Sequence, residues 1–206
     1  VATGGVEHKP DEYLYGEDPR VMTQAELEAK LATDGAAFDT PKDVAMIQCV
    51  DSREEPRNYC SRVCCASALK NALYLKEQNP ETDIYIFYRD IMAYGFLETY
   101  YTQARRSGII FTQYDVNRKP GVKVENGGPS INAMDPILGR ELVITPDLLV
   151  LSTGIVPHDT RELAGHFGVE IDKDGFYQEA ESKWRWNRPK LATGRCSPGS
   201  SRYGAG

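Results

Sequence analysis

Four cysteines within 17 residues offer the clearest chemistry in this sequence. In MIQCVDSREEPRNYCSRVCC, Cys49, Cys60, Cys64 and Cys65 follow the order Cys-x10-Cys-x3-Cys-Cys. Thiolates crowded this closely suit an iron-sulfur cluster or zinc, and the adjacent pair departs from the paired CxxC arms of a zinc ribbon. The spacing therefore reads first as a [4Fe-4S] site. A redox-active dithiol, a zinc site, and cysteines that are inert or disulfide-bonded stand beside it as other readings. Cys49, at the end of the apolar run VAMIQCV, is the plainest candidate for a small buried hydrophobe. A disulfide between the neighbours Cys64 and Cys65 has poor geometry. Cys196 lies in a Gly/Ser-rich stretch and is expected to take no part.

What must position these thiols is an alternation of strands and helices. Asp43 to Val50 is a short apolar, β-branched run; CCASALKNALYLKEQNP has helical spacing and stops at Pro80. DIYIFYRD reads as a second strand, GFLETYYTQARRSG as a helix closed by Gly108, and IIFTQYD as a third strand. This βαβαβ order predicts a parallel sheet with right-handed crossovers, the scaffold of dinucleotide-binding domains. VKVENG, INAMDPILGRELVITP and DLLVLSTG then predict a small antiparallel meander before a last parallel strand.

In such a unit the first strand leads into a Gly-rich turn that cradles a pyrophosphate at a helix N-terminus. No GxGxxG stands there. The segment Asp51 to Tyr59 is charged and contains Pro56, and the cysteines occupy the strand end and the helix start. An electron-transfer centre in place of the nucleotide site is the expectation, a degenerate Rossmann unit the bland alternative.

Composition bounds the rest. With 206 residues, 41% hydrophobic and 26% charged, the chain can bury a substantial core in one or two domains. A net charge of -6 without a long basic block argues against nucleic acid as the main partner. No apolar run approaches the roughly 20 residues of a membrane span, and VATGGVEHKP lacks the features of a signal peptide. A cytoplasmic location is expected, and reduced clustered cysteines fit it. His8, His158 and His166 show no metal spacing. Asp51, Arg53, Glu54 and Glu55 border the cysteines; such runs are usually solvated, although charges there would tune a cluster. Tyr85, Tyr88, Tyr94, Tyr100 and Tyr101 read as packing residues or a docking surface. No Ser-His-Asp set or carboxylate pair stands out.

VATGG at 1–5 and LSTGIVPHD at 151–159 each end in a Thr-Gly turn. Together they resemble the two crossover points of flavoproteins with two dinucleotide folds. With the cysteine block, EYLYGEDPRVMTQAELE, IFYRDIMAYGFLETYYTQAR, PDLLVLSTGIVP and GVEIDKDGFYQEAESKWR resemble the A-subunit family of heterodisulfide reductases, including the related A subunits of quinone-interacting membrane-bound oxidoreductase complexes. The resemblance runs over about residues 1–185. It implies an α/β, thioredoxin-reductase-like fold: a Rossmann-type βαβαβ domain with a small antiparallel meander, plus parts of an FAD domain. It implies a [4Fe-4S] cluster on Cys49, Cys60, Cys64 and Cys65. FAD contacts follow at Ala2, Thr3 and Gly4 and, at the return crossover, at Thr153 and Gly154.

The function so implied is electron transfer through the cluster next to FAD in a heterodisulfide-reductase-type complex, electron-bifurcating in some members. Other subunits and electron carriers would be its partners, with no direct membrane span. Residues 1–38 would be the end of the FAD domain and a linker, 39–155 the cluster-bearing dinucleotide fold, and 156–185 the return to the FAD domain. Residues 186–206, rich in Gly, Ser and Arg, read as a disordered or aberrant tail. The first residue is Val1, and the Gly-rich FAD fingerprint and ferredoxin-type CxxCxxCxxxC runs are missing, so an internal fragment, inactive by itself, is expected. Two other classes remain: a flavin-dependent thiol-disulfide reductase in which Cys64 or Cys60 forms an exchangeable disulfide, and a zinc-stapled interaction module.

Overall fold

The computed structural model describes residues 3–34 and 38–178. Their elements, in chain order, are β1 (Gly5–Glu7), β2 (Val21–Thr23), α1 (Gln24–Asp34), β3 (Asp43–Val50), α2 (Cys64–Gln78), β4 (Asp83–Tyr88), α3 (Glu98–Arg106), β5 (Ile110–Gln113), β6 (Gly121–Glu125), β7 (Gly128–Asp135), β8 (Arg140–Ile144), β9 (Leu148–Thr153), β10 (Ile155–Pro157) and α4 (Arg161–Phe167). They fall into two compact units, one of residues 7–154 and one of the residues before and after it.

In the larger unit, β3 is apolar and buried at nearly every position, as a strand covered on both faces must be. It lies inside a sheet of order β2-β9-β3-β4-β5, with every neighbouring pair parallel. β6, β7 and β8 form the antiparallel meander. Side chains alternate across the sheet with period two. Val44, Met46, Ile84, Ile86, Leu148 and Val150 pack against Leu27 of α1, Leu69, Ala72 and Leu75 of α2 and Ala104 of α3. Ala45, Ile47, Phe87, Leu149 and Leu151 face Ile131 and Ala133 of β7. The result is three layers: helices, parallel sheet, meander. α2 buries Cys64, Cys65, Ala68, Leu69, Ala72 and Leu75 at the spacing of one helical face, and ends at Asn79 just before Pro80. Full burial of Leu69 or Leu75 is worth about 2 kcal/mol each.

The parallel sheet and meander are those the sequence predicts. β2 and α1 are the difference, for they lie in the span read as FAD-domain end and linker yet belong to the larger unit. Their signal is Thr23-x-x-Glu26, a capping box. Glu26 N–H donates to Thr23 Oγ1 at 3.4 Å and Thr23 N–H to Glu26 Oε2 at 2.9 Å. Lys9 and Tyr15 donate to Oε1 at 2.5 and 2.7 Å. Burial alone would raise the Glu26 pKa; the donors from Lys9, Thr23 and Tyr15 outweigh it and bring the carboxyl down to about 2. A carboxylate depressed in the folded state stabilises fully above its unfolded value, and loses that contribution as pH falls through its folded one. Glu26→Ala is therefore expected to cost about 1 kcal/mol at pH 7. The difference from wild type should shrink between pH 4.5 and pH 2; urea unfolding at pH 7 and at about pH 3 checks both.

In the smaller unit β1 pairs with β10. A Cβ at Gly5 would stand 2.7 Å from Ile155 Cγ2 and 2.8 Å from the Val156 carbonyl oxygen, so this pairing requires glycine. In the larger unit His8 N–H donates to the Gly154 carbonyl at 2.8 Å, joining its two ends. Ala2, Cys196 and the stretch 186–206 lie outside the described residues.

Candidate metal centre

The site starts at an irregularity in β3. Pairing with β9 is one-to-one from Val44 and Leu148 to Ile47 and Leu151, and then Val50 stands opposite Thr153. Three steps along β3 match two along β9, so one extra residue is accommodated. Cys49 takes a left-handed φ of 60°, which costs a non-glycine residue about 1 kcal/mol. Such a bulge reverses which face later side chains meet. Val50 accordingly packs in the meander-side cluster with Ala45 and Ile47. Tyr114 Oη braces the bulge by donating to the Gln48 carbonyl at 2.5 Å.

The loop that follows is held by its own polar groups. Ser52 Oγ donates to the Tyr59 carbonyl at 3.0 Å, Arg57 Nε to the Asp51 carbonyl at 2.9 Å, and Arg89 Nη1 to the carbonyls of Ser52 and Arg53. Asp51 pairs with His8 and Arg57, each at 3.3 Å, and Glu54 pairs with Lys119. Asp51 and Glu54 are thus ion-paired with Arg57 and Lys119, and His8 Nε2 is hydrogen-bonded to Asp51. At Gly154 a Cβ would lie 3.2 Å from Ser52 Oγ and 3.3 Å from Ser52 Cβ, so a residue without a side chain lets the loop close on the end of β9. In the order β5-β4-β3-β9 the chain steps from β3 to one side through β4 and β5, while β9 lies on the other. The loop therefore leaves the carboxyl end of β3 at the topological switch point, where open α/β sheets keep their ligands.

α2 begins at the end of this loop. Val63 stands at its N-cap position and supplies no capping acceptor. Cys64 and Cys65 occupy the first turn, where the helix dipole favours negative charge. All four cysteines are free; Cys49, Cys64 and Cys65 are buried and Cys60 is half-buried. A hydrogen bond from Cys64 to Cys65 pushes the Cys64 thiol far up, with burial and the nearby Cys65, Cys49 and Cys60 adding to it. The same bond brings Cys65 down to about 7 against the opposing effect of burial, helped by the Met92 amide and Arg53. Burial raises Cys49, opposed by Arg53, whose Nη1 lies 3.9 Å from its sulfur. Cys49, Cys60 and Cys65 thus all lie close enough to Cys64 to act on its thiol. Among the described residues no three His, Cys, Asp or Glu side chains converge on a point fit for a single metal ion. A [4Fe-4S] cluster takes one thiolate at each of its irons, whereas zinc draws all four to one centre. Four thiols are the soft donor type that such a cluster takes.

The other residues singled out from the sequence fall in both units. Thr3 and Gly4 belong to the smaller unit, Thr153 and Gly154 to the larger. Thr153 is 1% exposed and its Oγ1 has no hydrogen-bond partner. His166 faces Glu162 at 3.8 Å on α4. Tyr88 and Tyr101 pack edge-on against Phe111, while Tyr94 and Tyr100 are exposed. Sequence reasoning missed Arg89, Asp90, Met92 and Tyr114. The Arg-Asp pair after DIYIFY was a usable signal, since dinucleotide folds place a ribose-binding acid near the end of their second strand.

No family model matches the chain. Over 204 residues it is 36% identical to the A subunit of the H(2):CoB-CoM heterodisulfide,ferredoxin reductase of Methanothermobacter marburgensis, covering 90% of this chain and 30% of that protein. Over 190 residues it is 35% identical to the iron-sulfur A subunit of the CoB-CoM heterodisulfide reductase of Methanocaldococcus jannaschii, covering 84% and 28%. The chain belongs to the A-subunit family of heterodisulfide reductases. It spans less than a third of the length of these heterodisulfide reductase subunits. Its fold is thioredoxin-reductase-like: T. acidophilum thioredoxin reductase superposes with a TM-score of 0.51 at 15% identity, over 84% of this chain and 49% of that one. Among the described residues no helix is long and apolar enough to cross a membrane.

Proposed function

We propose that this chain is the electron-transferring segment of a heterodisulfide-reductase-type oxidoreductase, holding a [4Fe-4S] cluster on Cys49, Cys60, Cys64 and Cys65 next to FAD. The observation that carries the reading is the placing of four free cysteines at the end of β3, on the loop after it and in the first turn of α2, at the switch point where a nucleotide's phosphates would otherwise lie. A relative named as an iron-sulfur subunit supports it. Bound there, a cluster supplies one-electron chemistry. The cysteines bind it, the first turn of α2 favours its negative charge, and the burial of three of the four thiols keeps water away.

In this reading residues 7–154 are the cluster-bearing dinucleotide fold, and the residues on either side belong to an FAD domain. Ala2, Thr3 and Gly4 before that fold and Thr153 and Gly154 at its end would each contact FAD, and the unpartnered, buried Thr153 Oγ1 supports the latter. Other subunits of a cytoplasmic complex and electron carriers would be the partners, with bifurcation at the flavin a property of the whole assembly. A second reading, thiol-disulfide exchange, draws on Cys65, brought down to about 7 beside Cys64.

Anaerobic expression, reconstitution with iron and sulfide, and an EPR spectrum after dithionite reduction decide between them. About four irons per chain with a reduced-cluster signal is the expected result. Stoichiometric zinc would instead mark a stapled interaction module, and two titratable thiols without metal would mark the dithiol.

A further inference from the structure

Arg53 reaches two ways from a fixed position. Its Nη1 lies 3.9 Å from Cys49 Sγ, and its Nη2 donates to Asp90 Oδ2 at 2.7 Å. Its backbone is clamped: φ is 64°, its N–H donates to the Arg57 carbonyl at 2.9 Å, and its own carbonyl accepts from Arg89 Nη1 at 3.3 Å. The Arg53 side chain is 26% exposed and that of Asp90 54%. Asp90 follows β4 closely, in the region where a dinucleotide fold keeps its ribose-binding acid. Here that carboxylate turns to an arginine instead. Exposed ion pairs add little to stability, so the pair matters more for what its other end touches. A planar, permanently charged fork held at a thiolate ligand is suited to act on that sulfur.

We propose that Arg53, oriented by Asp90, raises the reduction potential of a cluster bound at Cys49 by donating to that ligand's sulfur. The proposal rests on the cluster reading above. Reduction adds one electron and makes the cluster more negative, so a cation at a ligand sulfur stabilises the reduced form more than the oxidised one. Asp90 works through Arg53 and is a positioning residue. Its own charge is screened by solvent, so its loss is felt mainly as freedom given to the arginine.

The test is a mediated redox titration, followed by EPR, of the full chain reconstituted with iron and sulfide, beside R53M, R53K and D90N. R53M is expected to lower the ratio of reduced to oxidised cluster about tenfold at the wild-type midpoint, a shift of about 59 mV for one electron. R53K should recover part of it, because a point charge replaces the fork. D90N should shift in the same direction by less. An unchanged midpoint in an R53M protein that keeps its iron overturns this inference and leaves the cluster reading standing. Absence of iron from the wild type overturns both. If R53M alone fails to load, D90N and R53K decide: unchanged midpoints in both also overturn it.

Discussion

Cys64→Ser should abolish the reduced-cluster EPR signal and remove most of the iron from the reconstituted chain. Cys64 is buried in the first turn of α2, where solvent has little access to supply a replacement ligand. Serine keeps the size but offers a hard oxygen where iron-sulfur chemistry needs a soft thiolate. Cys49→Ser and Cys65→Ser, also at buried positions, should behave alike. Cys60→Ser is the more forgiving change, because Cys60 sits half-buried on the loop, where solvent can complete a ligand set. Cys196→Ser should leave iron and signal untouched. Iron and acid-labile sulfide assays beside EPR measure all five. Full iron content in the Cys64 variant would remove that residue from the ligand set and with it the four-cysteine site.

Phe87→Ala is expected to destabilise the unit of residues 7–154 by about 4 kcal/mol. Phe87 is fully buried on β4, packed between the parallel sheet and the meander with Ile131, Ala133 and Tyr114. Its truncation leaves a cavity that two rigid sheets cannot close, and the loss is a large fraction of the roughly 5–15 kcal/mol typical of a domain. Phe87→Leu, which keeps most of the volume, should cost about 1.5 kcal/mol. Phe96→Ala, at a side chain 95% exposed, should fall within about 0.5 kcal/mol of wild type. Urea unfolding of the three variants gives the ranking. A cost near zero for Phe87→Ala would mean that the meander is not packed on the sheet as described.

The order of strands and helices from β3 to β9 was legible because each element carries its own period and its own stop, as with Pro80 after α2 and Gly108 after α3. The cysteines were legible because their spacing is local. What escaped was of two kinds. β2 is only three residues long, too short for any period to show, although its Thr23-Glu26 capping box was readable. The rest depends on topology: Arg53 meets Asp90 across 37 residues, and Tyr114 meets Gln48 across 66. The bulge at Cys49 leaves no trace in composition, because one additional residue in an apolar strand is still an apolar strand. Asp51 and Glu54 looked like ordinary solvated charges until the fold supplied His8, Arg57 and Lys119.

The hydrogen bond from His8 to Gly154 bears on how such a chain can arise. A stretch of well over a hundred residues enters and leaves through neighbouring points, so a host protein needs only a small gap in a surface loop to accept it. Whole-cassette gain, loss or exchange is then available in a single genetic event. The four thiols and the loop that braces them would travel together, complete, inside the cassette.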